Sequence, residues 1–246
     1  MGKMDISEIQ RRIEEYEPER DYAPLRIVFK VTTPVCIAHP WIALDGLLAH
    51  TLLRKILGDD YRVLPSKAPV DVSSLKLPVK KFQKGDKFFY HASISFFDVQ
   101  DHYRTVIYKR FHEKDLHRVK QLRKKKIVRG SGHFRDFMIS LVYVPCKSVT
   151  FYVNGNKREI RELCRAIPSI GKKSAIGFGW INSVSISEID RDRSIIHDGK
   201  AMRPIPQWAF KSAEEKWLLA YIFPYWSRRN VDLCAVPSRR VKMKNA

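Results

Sequence analysis

The sequence predicts an α+β chain: a ferredoxin-like (RRM-like) core that carries a glycine-rich loop and a basic, partly helical insertion. Three observations predict it. Segments with strand and helix periodicity follow one another as β–α–β–β…β–α–β, the order of a split βαβ unit. The loop Ile170-Gly171-Lys172-Lys173-Ser174-Ala175-Ile176-Gly177-Phe178-Gly179-Trp180 joins a helix-like to a strand-like segment. Residues 103–135 hold twelve Lys/Arg against Glu113 and Asp115, a net of +10, which is half of the chain's formal +20.

The elements follow in order. Residues 4–16 read as a short amphipathic helix, with Ile6, Ile9 and Ile13 at spacings of three and four. Residues 1–24 hold four Lys/Arg and seven Asp/Glu, a net of −3, and form an acidic N-terminal extension expected to dock on a neighbouring protein. LRIVFKVTT at 25–33 alternates apolar and polar residues as a strand does. A loop bounded by Pro34 and Pro40 follows. Residues 44–57 have helical spacing at Leu44, Leu47, Leu48, Leu52 and Ile56, and Gly58 ends the helix. Residues 61–78 carry three prolines and read as an irregular connection. Residues 79–82 and 87–97 read as strands about the turn Gln83-Lys84-Gly85-Asp86. In the basic stretch, residues 115–126 have helical character, ended by Gly130-Ser131-Gly132. Residues 137–144 and 148–153 read as strands. Residues 156–167 read as a helix with Ile160, Leu163, Cys164 and Ile167 on one face, and 180–189 as a strand. The core thus spans 25–190, with 103–135 projecting from it. Residues 191–246 form a C-terminal extension packing on the core, with six Lys/Arg against Asp232 in the tail 228–244. Within it, 198–206 reads as an exposed loop and 223–226 as a packing corner with Trp226 buried.

Composition limits the function. A chain of 246 residues with 44% hydrophobic content can bury a sizeable core. A sequence pI near 9.9 with clustered charge points to a polyanion, and first to nucleic acid. Cys36, Cys146, Cys164 and Cys234 make no C-x-x-C pair, so no zinc site or disulfide framework is indicated, and each reads as a small buried residue in a reducing compartment. Acidic residues occupy the place of a signal peptide's apolar run, and no stretch approaches a membrane span. The expected location is the prokaryotic cytoplasm, with no membrane partner, no metal and no cofactor.

The loop at 170–180 is not a P-loop. Ala166 stands where that motif needs glycine, and Lys173 where it needs Ser or Thr. Nor is it a Rossmann turn, because a helix precedes it and a strand follows. Two readings stand: a tight helix-to-strand connection with solvated lysines, or a backbone-phosphate contact through Gly171, Lys172, Lys173, Ser174, Gly177 and Gly179, with the glycines allowing a polymer to pass closely. The basic stretch offers Lys109, Arg110, Arg118, Lys120, Arg123, Lys124, Lys125, Lys126, Arg129 and Arg135 to phosphates. Phe111, His112, His133 and Phe134 interleave with them; Phe111 and Phe134 suit either stacking on unpaired bases or burial in the core. A lipid surface fits less well, since no clean apolar face accompanies the charge. An alternative is metal-independent RNA cleavage, with His133 as general base and Lys173 stabilising the phosphorane. His50, on the helix 44–57, reads as structural.

Several segments together resemble a known family: LRIVFKVTTPV, LDGLLAH, IGKKSAIGFGW, DGKAMRPIP at 198–206 and FPYW at 223–226. In this order they look like the RAMP-superfamily subunit of type IV CRISPR–Cas effector complexes that caps the 5′ handle of the guide RNA. The resemblance runs from about residue 25 to residue 237 and leaves out the acidic N-terminal helix. It implies a ferredoxin-like fold with an RNA-contacting insertion, placed at one end of a helical ribonucleoprotein that acts in antiviral and anti-plasmid defence. It further implies a non-catalytic binder of the guide RNA (crRNA), touching the first backbone subunit, with the large subunit and target DNA nearby. The alternative under the same resemblance is an endoribonuclease that processes CRISPR repeat RNA.

Overall fold

The computed structural model describes residues 6–63, 70–112, 114, 128–132 and 134–244. Arg118, Lys120, Arg123, Lys124, Lys125, Lys126 and His133, and with them the helix expected over 115–126, lie outside the described residues.

The chain is α+β and built mostly of strands. It opens with α1 (Ile6–Glu14), β1 (Ala23–Val31), β2 (Val35–Ile37), α2 (Leu44–Leu57) and α3 (Asp60–Val63). β3 (Lys81–Lys84), β4 (Lys87–Tyr90), β5 (Phe96–Phe97), β6 (Tyr103–Lys109), β7 (Phe137–Val144) and β8 (Ser148–Gly155) follow, then α4 (Lys157–Arg165) and β9 (Ile181–Glu188). The rest is a run of short strands: β10 (Ile196–His197), β11 (Lys200–Ala201), β12 (Ile205–Pro206), β13 (Phe210–Ala213), β14 (Lys216–Ala220), β15 (Val231–Ala235) and β16 (Val241–Met243).

The central sheet is antiparallel, in the order β5-β8-β1-β9. Its inner face is written by the period-2 pattern of β1: Leu25, Ile27 and Phe29 are fully buried while Arg26 and Lys30 are exposed. Phe29 meets Phe151 of β8 edge-to-face at 5.9 Å. Leu44, Leu48 and Leu52 of α2 and Ile160, Leu163 and Cys164 of α4 complete the same core. Each such side chain contributes about 1.5–3 kcal/mol on burial. Asn156 starts α4, its side chain accepting from the Glu159 N–H at 3.0 Å, while the Glu159 carboxylate accepts from the Tyr16 hydroxyl and the Glu19 N–H.

α1 packs into this core too. Ile9 and Ile13 are buried in it, and Arg12 pairs with Asp60 at 2.9 Å. The apolar stripe of the helix is therefore used within the chain. The acidic groups after it find local cations: Glu17 pairs with Lys76 and Glu19 with Arg158.

A second sheet, β2-β7-β6, stands beside the first. Its long hairpin corrects the sequence reading of 103–135, because YRTVIYK at the start of that stretch is strand β6, paired from Tyr103↔Tyr143 to Lys109↔Phe137. The strand expected over 87–97 also breaks. After Tyr90 the chain runs through single bridges at Ala92 and Ile94 before β5, because the Tyr90 and Ala92 carbonyls are taken by the Arg203 guanidinium.

The C-terminal extension builds a smaller core from Phe89, Ala201, Ile205, Ala209, Phe210, Ala235 and Val241. Residues 201–206 are all buried, so of the segment read as an exposed loop only 198–200 lie at the surface. The packing corner at 223–226 also differs. Phe223 stacks on Tyr90 at 5.7 Å, but Trp226 is 79% exposed. Among the described residues no helix is long and apolar enough to cross a membrane.

Candidate nucleic-acid interface

The loop after α4 is held as a built element. Ile170 N–H donates to the Gly179 carbonyl at 2.8 Å and closes it. Gly179 N–H donates to Pro34 and Lys172 N–H to Cys36, each at 2.8 Å, which fasten it to the β1–β2 turn. Gly171 (φ +88°) and Gly179 (φ +68°) are in the left-handed region. A Cβ on Gly171 would lie 2.4 Å from the Cys36 carbonyl oxygen, and one on Gly179 1.8 Å from that of Ile170. These two glycines make room for this chain's own backbone rather than a partner's. Gly177 has nothing within 4 Å and leaves its side of the loop open.

Lys172 and Lys173 are exposed, and Lys173 itself is left-handed at φ 64°. Burial pushes the Cys36 thiol beneath them upward, while Lys173 and Lys172 act in the opposite direction. Ser174 is half-buried, and its carbonyl accepts the Trp180 indole N–H at 3.2 Å, which orients a ring that is 53% exposed. Trp180 lies outside the residues singled out from sequence, although it closes the same motif. A flat exposed ring beside two lysines is a stacking platform for a base.

The loop and the basic insertion, far apart in sequence, are joined through one sheet. Lys172 bridges Cys36 on β2, and β2 is the neighbour of β7, so the loop extends the β2-β7-β6 sheet. Phe178 packs on Tyr143 of β7 at 6.0 Å. From there the hairpin runs outward; Tyr103 shares the Tyr143 face, and Arg104, Tyr108 (58% exposed) and Met138 (68% exposed) lie along the opposite face. At its end Lys109, Arg110, His112, Arg129 and Arg135 are exposed. Arg110 lies over the Tyr108 ring at 6.0 Å.

Asp136 closes the neck of the insertion. Its carboxylate accepts from Phe111 N–H and from Arg129 Nε, each at 2.9 Å, and those bonds hold its pKa below the ordinary carboxylate value. Phe111 and Phe134 are half-buried against each other, edge-to-face at 5.3 Å. Of the two roles sequence allowed them, packing is the one the structure displays; rings open to solvent on the loop and hairpin include Tyr103, Tyr108, Phe137 and Trp180.

Three of the motif segments meet at a site the sequence reading missed. Asp45 of LDGLLAH, Arg203 of DGKAMRPIP and Tyr225 of FPYW form a buried cluster. Arg203, 1% exposed, pairs with Asp45 at 3.3 Å, donates to the Tyr90, Ala92 and Tyr221 carbonyls, and lies 5.0 Å from the Phe89 ring. Tyr225 donates to the other Asp45 oxygen; burial, then the Asp45 charge, drive its phenol well above the ordinary value. The cluster is structural and joins the C-terminal extension to α2. His50 accordingly has a local partner, Tyr61, at 2.9 Å. Among the described residues no group of three His, Cys, Asp or Glu is placed to hold a metal, and the four cysteines are buried and unpaired.

Comparison with known proteins adds two findings. The family described as CRISPR type IV associated protein Csf3 matches residues 23–237. Among solved structures, a chain of the type III-B Cmr-beta complex bound to cognate target RNA, seen by cryo-EM, is similar at 9% identity with a TM-score of 0.38. The similarity covers 74% of this chain and 65% of that one. No curated protein matches the chain.

Proposed function

The chain belongs to the family of the CRISPR type IV associated protein Csf3, and from that membership we propose that it is an RNA-binding subunit of a type IV CRISPR ribonucleoprotein, holding the 5′ handle of the guide RNA. The observation that carries this reading is the continuity of the lysine-bearing loop with the basic hairpin through the Lys172–Cys36 bridge. It gives one continuous strip of sheet, with cations and exposed rings on its two faces, the combination that single-stranded RNA calls for. The succession β1-α2-β5-β8-α4-β9, with sheet order β9-β1-β8-β5, is read as a ferredoxin-like core that displays this strip. The backbone and large subunits of such a complex would meet other faces of the molecule, and the chain itself would bind rather than cut.

The test is a gel assay with end-labelled repeat RNA in EDTA. The expected result is a shifted, intact RNA that prefers the repeat over a scrambled control. Lys172→Ala/Lys173→Ala should weaken binding about tenfold and flatten the salt dependence by roughly 1.4 in log–log slope, two single-strand phosphate contacts' worth. A discrete cut in EDTA would establish the endoribonuclease reading instead. Unchanged affinity in the double variant would remove the loop from the interface.

A further inference from the structure

The end of the central sheet away from the glycine loop carries another basic site. β1 starts there, with Ala23 paired to Gly155, and ends roughly 26 Å away beside the loop. Val79 bridges Gly155, and Lys80 N–H donates to the Asn154 carbonyl at 2.8 Å, so the approach to β3 lies along this end. A pocket of about 380 Å³ opens here between the β3–β4 hairpin and the residues around β16.

Lys80, Lys81, Lys84 and Lys244 line it, together with Phe82 and His91. Among the described residues no carboxylate is in ion-pair contact with any of the four lysines. Lys81 lies over the Phe88 ring at 4.3 Å, and Lys244 donates to the Gln207 carbonyl at 3.3 Å. Glu17 acts on Lys81 through space, and the acid that meets His91 is Asp192. It accepts from His91 Nδ1 at 2.7 Å, Asn154 Nδ2 at 2.9 Å and Ser194 N–H at 2.8 Å. Burial opposes its ionisation, but these bonds prevail and hold its carboxyl below the ordinary range. An ionised Asp192 fixes the His91 ring with its proton on Nδ1 and leaves Nε2 as an acceptor for a ligand N–H or O–H. Phe82 has one face stacked on Phe89 at 4.9 Å and is itself only half-buried. The volume is within the range of small-molecule sites.

We propose that this pocket binds a nucleoside monophosphate, with the phosphate held by Lys80, Lys84 and Lys244 and the base against Phe82. Three lysines without a carboxylate in ion-pair contact suit a phosphomonoester's double charge, and a half-open aromatic ring suits a base. The site is separate from the loop and hairpin and does not rest on the guide-RNA reading. A free nucleotide and the 5′-phosphorylated end of a strand share this chemistry.

Calorimetry of the full chain with AMP tests it, with adenosine as control. AMP should bind saturably and adenosine should not. Lys80→Ala/Lys84→Ala, two exposed positions, should weaken AMP at least about tenfold, while Lys172→Ala/Lys173→Ala should leave it within about twofold. Melting curves of both variants would verify their fold. Displacement of AMP by a 5′-phosphorylated oligonucleotide, but not by its 5′-hydroxyl counterpart, would make a strand end the ligand; displacement by neither would make it the free nucleotide. Adenosine binding as tightly as AMP, no saturation, an indifferent Lys80→Ala/Lys84→Ala variant, or equal displacement by both oligonucleotides would overturn the proposal.

Discussion

Gly179 shows how much one missing side chain decides. Its nitrogen holds the loop to Pro34, its carbonyl closes the loop on Ile170, and its left-handed backbone has an oxygen where a Cβ would stand. Gly179→Ala has no relaxed solution, since the obstacle is backbone. It should cost more than the roughly 1–2 kcal/mol of left-handed strain alone and should release Lys172 and Lys173 from their positions. Gly177→Ala carries only that strain, because its surroundings are open. Urea unfolding of the two variants, read beside their RNA affinities, separates the positions: Gly179→Ala should lose both stability and binding, and Gly177→Ala should keep most of both. A Gly177→Ala variant as damaged as Gly179→Ala would contradict this division. The sequence displayed the loop clearly, since glycine and lysine spacing is local. It could not display which glycines face inward, because the atoms that crowd Gly171 belong to Cys36, on another element.

At the scale of elements, the joint between α2 and the C-terminal extension rests on Asp45, Arg203 and Tyr225. Removing one charge of a buried pair strands the other, at a cost of about 3–5 kcal/mol. Arg203→Met should therefore destabilise strongly by leaving Asp45 buried and uncompensated. Arg203→Met/Asp45→Leu should recover part of the loss, as apolar replacement of a buried pair often does. Denaturant midpoints of the wild type, both single variants and the double variant measure the coupling. Additive losses would mean that the two groups do not act together. The segments themselves were legible as motifs, but their meeting was not. Asp45 and Arg203 are 158 residues apart and Asp45 and Tyr225 180 apart, and periodicity reports only on neighbours along an element. The same distance effect hid the burial of residues 201–206. The polar and proline-rich DGKAMRPIP looks like a loop until its arginine is seen satisfying carbonyls in the interior.

The whole molecule carries a formal +20, and that charge acts on folding and on binding in opposite senses. Like charges repel in the compact state, and salt screens them. Raising NaCl from about 50 to about 300 mM should raise the melting temperature of the free chain while RNA affinity falls. Thermal scans and binding isotherms over the same salt series test this, and a melting temperature that drops with salt would show that ion pairs outweigh repulsion. The net charge and its concentration in one stretch were the most legible features of the sequence. Less legible was that the stretch begins as a strand, because counting charges in YRTVIYK conceals its alternation.

The clasp at Asp136 makes the insertion a replaceable part. Its two ends are joined by the β6–β7 ladder and by the carboxylate bonds to Phe111 and Arg129, so the span between them is anchored whatever its length. Doubling a closed loop costs only about 0.6 kcal/mol in closure entropy. Selection, or an engineer, can thus lengthen, shorten or exchange the basic span while the sheets beneath it stay as they are.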